Sequence, residues 1–202
     1  MTNLPGFGAP LTDMYSGYLD ISGGKHLHYI VYASQGNPAT DPVVAWYNGG
    51  PGCSSLEGAF QESGPLWTET GGATLQVNEY SWNKFSTNIF IEAPAGVGFS
   101  YADTPAGTAH NDTSTAADNL ASLEVFFAAF PEYSTQPFWI TGESCELLRR
   151  ARSRGHARAL PLSRCRGRIV HVLSRPQRAD PLTPSPPPQM LASTSRASRT
   201  TL

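Results

Sequence analysis

The sequence predicts an α/β domain with a central sheet over residues 1–144, followed by a tail of different character over residues 145–202. Apolar runs in the first part alternate as strand, loop, strand, helix, strand, an order that is typical of helices packed on a sheet. Aromatic side chains, which dominate hydrophobic cores, are confined to the same part: all 4 Trp, 8 Tyr and 9 Phe precede residue 140. All twelve Arg follow residue 144.

The charge of the chain changes sign at the same boundary. Residues 1–144 hold two Lys and fourteen acidic residues, a formal charge of −12, whereas residues 145–202 hold twelve Arg and two acidic residues, a charge of +10. Two such compositions rarely belong to one folded unit. Residues 181–188 also contain five prolines. Because the second segment can bury little apolar surface, we predict a mostly disordered, Arg/Pro/Ser-rich tail.

Residues 16–33 predict a β-hairpin at the start of the domain. Residues 17–21 and 26–32 are rich in β-forming side chains, and the residues between them, Ser22 to Gly24, favour a turn. The first strands of the sheet are therefore expected to be antiparallel neighbours.

Three apolar runs predict buried strands, at residues 42–47, 88–92 and 138–141. The first is followed by the glycine-rich stretch of residues 48–52, which only a loop can adopt. Runs of this length and composition are typical of the interior strands of an α/β sheet.

Apolar residues recur at helical spacing over residues 113–130, between the second and third buried strands. We expect Thr113 or Ser114 to cap this helix and Pro131 to end it.

The cysteines and histidines give little sign of a metal or redox site. The three cysteines leave one unpaired in any disulfide scheme. The histidines at positions 26, 28 and 110 stand alone, and we expect each to be a surface or strand residue rather than a ligand or a base. No motif for a metal or another cofactor is present, so none is expected.

Hydrophobic runs also limit the class of protein. No apolar stretch reaches the length of about 18 residues that a transmembrane helix needs, so no membrane span is expected. Residues 1–8 lack the basic start and apolar run of a signal peptide. Either the protein is cytosolic, or the start of the gene is missing from this version.

Two motifs carry chemistry. Residues 46–55 read W-Y-N-G-G-P-G-C-S-S, a stretch that starts in the last two residues of a predicted buried strand. Residues 142–144 read G-E-S after another, which is the setting of a nucleophile elbow, where a sharp turn exposes a serine at the top of a sheet. The usual G-x-S-x-G is incomplete, because Glu146 stands where a small residue is expected.

Residues 46–55 resemble the W-x-N-G-G-P-G-C-S-S run of serine carboxypeptidases, which are hydrolases of the α/β-hydrolase type. Further stretches that resemble this family follow in order: Y-S-G-Y at residues 15–18, E-S-G-P at 62–65, N-E-Y-S-W-N at 78–83 and E-A-P-A-G-V-G-F-S-Y at 92–101. The resemblance covers about residues 15–144. It implies a truncated α/β-hydrolase domain with a central mixed sheet.

The resemblance implies a role for each of five residues. Ser144 is the expected nucleophile, which attacks the peptide carbonyl and forms an acyl-enzyme. The backbone N–H groups of Gly50 and Cys145 are the expected oxyanion donors, and a glycine lets the backbone approach the ligand closely. Asn48 and Glu143 are expected to bind the C-terminal carboxylate of the substrate, Glu143 as a protonated acid at acidic pH.

Further expectations follow from the same resemblance. Gly49, Pro51 and Gly52 are expected to shape the glycine loop, and Asn111 opens the N-glycosylation sequon N-D-T. The implied partner is the C-terminus of a peptide or protein substrate. The family is vacuolar, lysosomal or secreted.

The resemblance stops after Ser144, where the family continues Y-A-G and this chain continues C-E-L. The catalytic Asp and His of the family lie far beyond this point. No counterpart can be assigned, since His156, His171 and Asp180 lie in the predicted tail. We therefore predict that this chain is inactive. Removing two nucleotides from suitably chosen family codons reproduces S-C-E-L-L-R, so we interpret residues 145–202 as a frameshifted or misspliced reading.

Two other functions stay open. A related acyltransferase uses the same scaffold with a different acyl acceptor, although Asn48 and Glu143 favour the peptidase. A non-catalytic fragment could bind a polyanion through the arginines of its tail. The tail lacks aromatic stacking residues and any known module, so no nucleic-acid partner is expected.

Overall fold

The structure, a computed structural model, describes residues 2–50, 52–69 and 71–143. The predicted tail of residues 145–202 lies outside these described residues. The described strands and helices therefore all belong to the part of the chain that the sequence predicts to fold.

The described residues form eight strands and one α-helix. Their bounds are β1 (Met14–Ile21), β2 (Lys25–Tyr32), β3 (Val43–Tyr47), β4 (Leu66–Thr68), β5 (Leu75–Val77), β6 (Thr87–Ile91), β7 (Tyr101–Ala102), α1 (Asp112–Ala129) and β8 (Phe138–Gly142). Six strands form the central sheet in the order β1-β2-β6-β3-β8, with β7 paired to β2. β4 and β5 form a separate antiparallel pair.

The strand directions divide the central sheet into two parts. β1, β2 and β6 are antiparallel neighbours, whereas β3 lies parallel to both β6 and β8. Parallel neighbours need a long crossover connection, and α1 lies in the connection between β6 and β8. The prediction of a central mixed sheet is confirmed.

Most predicted elements appear within a residue or two of their expected bounds. The hairpin is β1 and β2, and the three apolar runs are β3, β6 and β8. The predicted helix begins and ends one residue earlier than expected. β4, β5 and β7 are missing from the prediction, because two or three residues are too few to show a period.

Two hydrophobic clusters cover the two faces of the sheet. Side chains of a strand alternate between faces, so Leu27 of β2 packs in the cluster of Phe126 from α1. Ile30 of the same strand packs with Trp46 and Phe90 on the opposite face. Every residue of β3 and β6 is buried. The loop that follows β3 therefore starts from a strand whose side chains are buried on both faces of the sheet.

The cap of α1 differs from the prediction. Asn111 is the N-cap, and its Oδ1 accepts hydrogen bonds from the N–H groups of Thr113 at 2.9 Å and Ser114 at 3.0 Å. Ser114 Oγ accepts in turn from the Asn111 N–H at 2.9 Å, which completes a capping box. The expectation that Thr113 or Ser114 caps the helix is wrong. Asn caps a helix as well as Ser does, so residue type alone does not rank Asn111 below Thr113 or Ser114.

Asn111→Ala is expected to lower the free energy of unfolding by about 1 kcal/mol, because two N–H groups lose their acceptor. Urea unfolding of protein produced in bacteria, without glycosylation, measures this change. Thr113→Ala is the matched control in the same turn, with an expected change below about 0.5 kcal/mol. A larger loss for Thr113→Ala than for Asn111→Ala would contradict the assigned cap.

Candidate active site

The carboxyl ends of β3 and β8 lie side by side in the sheet. Tyr47 and Gly142 are the last paired residues of these two parallel strands. Just beyond them, the Gly49 N–H donates to Glu143 Oε2 at 3.3 Å, and the Glu143 N–H donates to Tyr47 O at 3.2 Å. The structure therefore brings together the glycine loop and the glutamate that precedes the predicted nucleophile.

Asn48, the first residue after β3, is buried and its amide is fixed by three hydrogen bonds. Its Oδ1 accepts from Trp46 Nε1 at 2.7 Å and from the Gly58 N–H at 3.1 Å. Its Nδ2 donates to Glu62 Oε1 at 3.0 Å. Gly58 permits this packing, because a Cβ there would lie 2.3 Å from Trp46 Nε1. The amide donor is thus directed toward a carboxyl group.

Glu62 is a functional candidate that the sequence analysis does not single out. It ends a wide helical turn, Gly58–Glu62, which is closed by a hydrogen bond of 3.1 Å from the Gly64 N–H to Gly58 O. The turn carries Glu62 back to Asn48, 14 residues earlier in the chain. The E-S-G-P stretch that begins with this residue is the signal that could have found it.

The surroundings of Glu62 favour its neutral form. Burial is the main cause that raises its pKa above the ordinary value of 4.5, and the hydrogen bond from Asn48 acts in the opposite direction. The negative charges of Glu143 and Glu57 raise the pKa further. Glu62 therefore holds a proton to higher pH than an ordinary glutamate does.

Glycines shape the loop between Asn48 and Cys53. Gly50 has a φ of +111° and Gly52 a φ of +101°, a region that side chains rarely adopt. A Cβ at Gly50 would lie 2.9 Å from the Cys53 nitrogen. The Cys53 N–H donates to Gly49 O at 3.1 Å and closes the turn. This geometry agrees with the loop-shaping roles expected for Gly49 and Gly52. Those roles and the oxyanion role of Gly50 stay predictions.

Two serines fasten the end of the glycine loop to the end of β6. Ser55 Oγ accepts from the Asn48 N–H at 3.1 Å and donates to Ile91 O at 2.6 Å. Ser54 Oγ donates to Oε1 of the buried Glu92. Side-chain hydrogen bonds therefore hold the end of the glycine loop to the sheet.

Three of the predicted site residues, Ser144, Cys145 and Pro51, are outside the described residues. Glu143 is the last described residue, and its side chain contacts the glycine loop. Asn111, the predicted glycosylation site, is exposed at the start of α1.

The described part of the chain offers neither a metal cluster nor a membrane-spanning helix. Residues 2–50, 52–69 and 71–143 contain no cluster of three or more His, Cys, Asp or Glu side chains placed to hold a metal ion. In the same ranges, no helix combines the length and apolar character that crossing a bilayer requires. Cys53, in the glycine loop, is an exposed free thiol.

A mixed sheet with a glycine loop after one parallel strand and G-E-S after its neighbour is typical of the α/β-hydrolase fold. In agreement, the structure matches the crystal structure of Kex1ΔP, a prohormone-processing carboxypeptidase from Saccharomyces cerevisiae, with a TM-score of 0.66. The match has 24% sequence identity and covers 78% of this chain and 38% of that chain. At this identity, the match is informative about the fold alone.

The family model for serine carboxypeptidases matches residues 5–145, and this chain belongs to that family. The lysosomal protective protein of Mus musculus is 48% identical over 142 residues, which are 70% of this chain and 30% of that protein. The serine carboxypeptidase ctsa-4.1 of Caenorhabditis elegans is 47% identical over 130 residues, 64% of this chain and 27% of that protein. The chain thus spans less than a third of the length of these relatives.

Proposed function

We propose that residues 1–144 form the carboxylate-binding and nucleophile-bearing part of a serine-type carboxypeptidase, which removes C-terminal residues from peptides through an acyl-enzyme on Ser144. One observation carries the proposal: Asn48, Glu62 and Glu143 meet around the glycine loop at the carboxyl ends of β3 and β8. An amide and two carboxyl groups in one place are suited to grip a free carboxylate, provided that acid groups there are protonated.

The raised pKa of Glu62 supports this use of the cluster. A protonated carboxyl group donates a hydrogen bond to a carboxylate, whereas an ionised one repels it. Burial beside two other acids keeps the proton on Glu62 to higher pH than usual. The proposed site is therefore matched to acidic surroundings. A lysosomal, vacuolar or secreted location, which we also propose, agrees with that condition.

The glycine loop supplies the second element of the proposed mechanism. Attack of Ser144 Oγ on the carbonyl carbon places negative charge on the carbonyl oxygen, which backbone N–H groups stabilise. Gly50 is the proposed first donor, since its positive φ and the close approach of Cys53 exclude any side chain. The N–H of Cys145 is the proposed second donor.

We further propose that these 202 residues do not hydrolyse peptides by themselves. A serine nucleophile needs a base that accepts its proton, and that base needs a third group to orient it. Neither an Asp nor a His of residues 145–202 can be assigned to these roles from the sequence. The Asn48 amide, directed toward Glu62, favours peptidase over acyltransferase descent.

A chimera tests the carboxylate-binding site separately from the missing triad residues. Residues 1–144 would be joined to the segment of the mouse lysosomal protective protein that follows the corresponding serine. We expect this chimera to hydrolyse an N-blocked dipeptide with a free carboxylate, and the unmodified chain to leave it intact. Because Glu62 ionises as the pH rises, kcat/KM should fall toward neutral pH, and Glu62→Gln should reduce that fall.

Asn48→Ala provides the second measurement on the chimera. Loss of the hydrogen bond that the Asn48 amide would donate to the charged substrate carboxylate should lower kcat/KM for the free acid about ten- to a hundredfold. The matching dipeptide amide should lose much less, and Glu132→Gln, an exposed acid after α1, should behave as wild type. Equal losses for the acid and the amide would refute carboxylate binding by Asn48. An unchanged pH profile in Glu62→Gln would refute the proposed role of Glu62.

A further inference from the structure

A serine, a histidine and a buried glutamate form a continuous hydrogen-bonded chain on the sheet face that carries Trp46. Ser16 Oγ lies 3.0 Å from His28 Nε2, and His28 Nδ1 lies 2.9 Å from Glu92 Oε2. Ser16 on β1 is exposed, whereas Glu92, directly after β6, is completely buried. Ser16 and His28 lie outside the site built around Asn48 and Glu143, and Glu92 touches that site through Ser54 at the end of the glycine loop.

The strand pairing fixes the geometry of this chain. In the β1–β2 register Ser16 is opposite Ile30 and Tyr18 is opposite His28, so Ser16 and His28 are diagonal neighbours on one face. On the other side of β2, the Glu92 N–H donates to His28 O at 3.0 Å. Three adjacent strands therefore present the three side chains in a row.

The contacts of Glu92 determine which nitrogen of His28 carries the proton. Burial alone would raise the pKa of Glu92, but hydrogen bonds from His28, from Ser54 and from the Phe99 N–H outweigh it, and the pKa is lowered. Glu92 is thus an ionised acceptor, so His28 Nδ1 must donate to it. In neutral His28, Nε2 then bears the lone pair and accepts the Ser16 hydroxyl proton.

We propose that Ser16, His28 and Glu92 act as nucleophile, general base and orienting acid, and that Ser16 is acylated by activated aryl esters. A nucleophile in hydrogen-bond contact with a base that a third group orients is the arrangement that covalent catalysis requires. The sequence alone gave no reason to regard His28 as more than a strand residue, because Glu92 is 64 residues away in the chain.

Aromatic side chains around His28 favour an aryl substrate. The rings of Tyr18 and Phe99 meet the His28 ring edge to face, with centroids 5.6 Å and 5.4 Å away. Both are unusually exposed for aromatic residues, at 46% and 63%. Gly98 allows this arrangement, since a Cβ there would lie 1.7 Å from Glu92 Oε1. An aryl group can stack on these rings while its ester carbonyl reaches Ser16.

Acylation of Ser16 needs no reactant besides the aryl ester. Ser16 Oγ forms a bond to the ester carbonyl carbon as its proton passes to His28 Nε2. The bond between the carbonyl carbon and the aryl oxygen breaks, and His28 returns the proton to the leaving phenoxide. Water then hydrolyses the acyl-serine with His28 again acting as base.

The experiment treats the full chain with p-nitrophenyl acetate and locates acetyl groups by peptide mass spectrometry. We expect acetylation of Ser16, slowed about a hundredfold in His28→Gln, which removes the base. Glu92→Gln, which keeps the shape and loses the charge, should slow it as well. His26→Gln is the matched control: His26 lies on the same strand but contacts Asp20 and Asp103 rather than a serine, so labelling should be unchanged.

Each outcome decides for or against the proposal. Absence of acetyl at Ser16 in the folded wild-type chain overturns it, and so does equal labelling in wild type and His28→Gln. Should Glu92→Gln unfold, the comparison of His28→Gln with His26→Gln still decides. The variant Ser144→Ala separates this inference from the carboxypeptidase proposal, since labelling of Ser16 should persist in it.

Discussion

Glu92→Ala is expected to lower the free energy of unfolding by about 4 kcal/mol at neutral pH, because it leaves several buried donors without an acceptor. The carboxylate accepts hydrogen bonds from Ser54 in the glycine loop, His28 on β2 and the Phe99 N–H. It thereby joins three segments that are distant in sequence. Urea unfolding measures the loss, and Glu124→Ala, at an exposed position of α1, is the control with little expected effect.

The pH dependence of this contribution follows from the lowered pKa of Glu92. Stabilisation by a group whose pKa is lowered on folding is present above its ordinary pKa, here 4.5, and is lost as the pH falls through the lowered value. The stability difference between wild type and Glu92→Gln should therefore shrink as the pH falls below 4.5 and through the lowered pKa. A difference that grows on acidification would contradict the assignment. The pKa of Glu62 is raised, so the pH dependence of its contribution to stability has the opposite sign. That contribution is present at low pH and is lost as the pH rises.

Gly64→Ala is expected to cost about 3 kcal/mol or more, through overpacking against a backbone that cannot move away. A Cβ at Gly64 would lie 1.9 Å from Ala59 O and 2.7 Å from Ala59 C. The wide turn that contains Ala59 would have to open, although the Gly64 N–H closes it by its bond to Gly58 O. Glu62 would then lose its position beside Asn48.

Gly17→Ala is the matched control for this steric argument. The three atoms nearest to a Cβ at Gly17 all belong to the Tyr29 side chain, and the closest lie at an ordinary contact distance of 3.4 Å. We expect a change of less than about 1 kcal/mol, measured by thermal unfolding of both variants side by side. Similar losses for the two substitutions would contradict the steric argument, because the clash with Ala59 exists at Gly64 and not at Gly17.

The fold was largely predictable where its signals are local. The β1–β2 hairpin and the buried runs at β3, β6 and β8 each show their period within a few residues. The order of the strands in the sheet, in contrast, has no local signal in the sequence. β6 lies between β2 and β3, and nothing in the sequence of β6 states which strands it pairs with.

The candidate site likewise has one contact that the sequence predicts and one that it does not. The meeting of Gly49 with Glu143 is foreseeable, because both follow buried strands whose carboxyl ends share one edge of a parallel sheet. The contact of Asn48 with Glu62 was not foreseeable. It depends on a wide turn that starts at Gly58, a conformation with no periodic signature in a five-residue stretch.

Asn111 uses only one of its two side-chain amide atoms to begin α1. Oδ1 accepts both cap hydrogen bonds, whereas a glycan in the sequon N-D-T would be attached through Nδ2. A sugar at this position would leave the cap intact and extend from the exposed first turn into solvent. Helix initiation and carbohydrate attachment are therefore chemically compatible on the same side chain, and maturation of the chain would not need to weaken the helix.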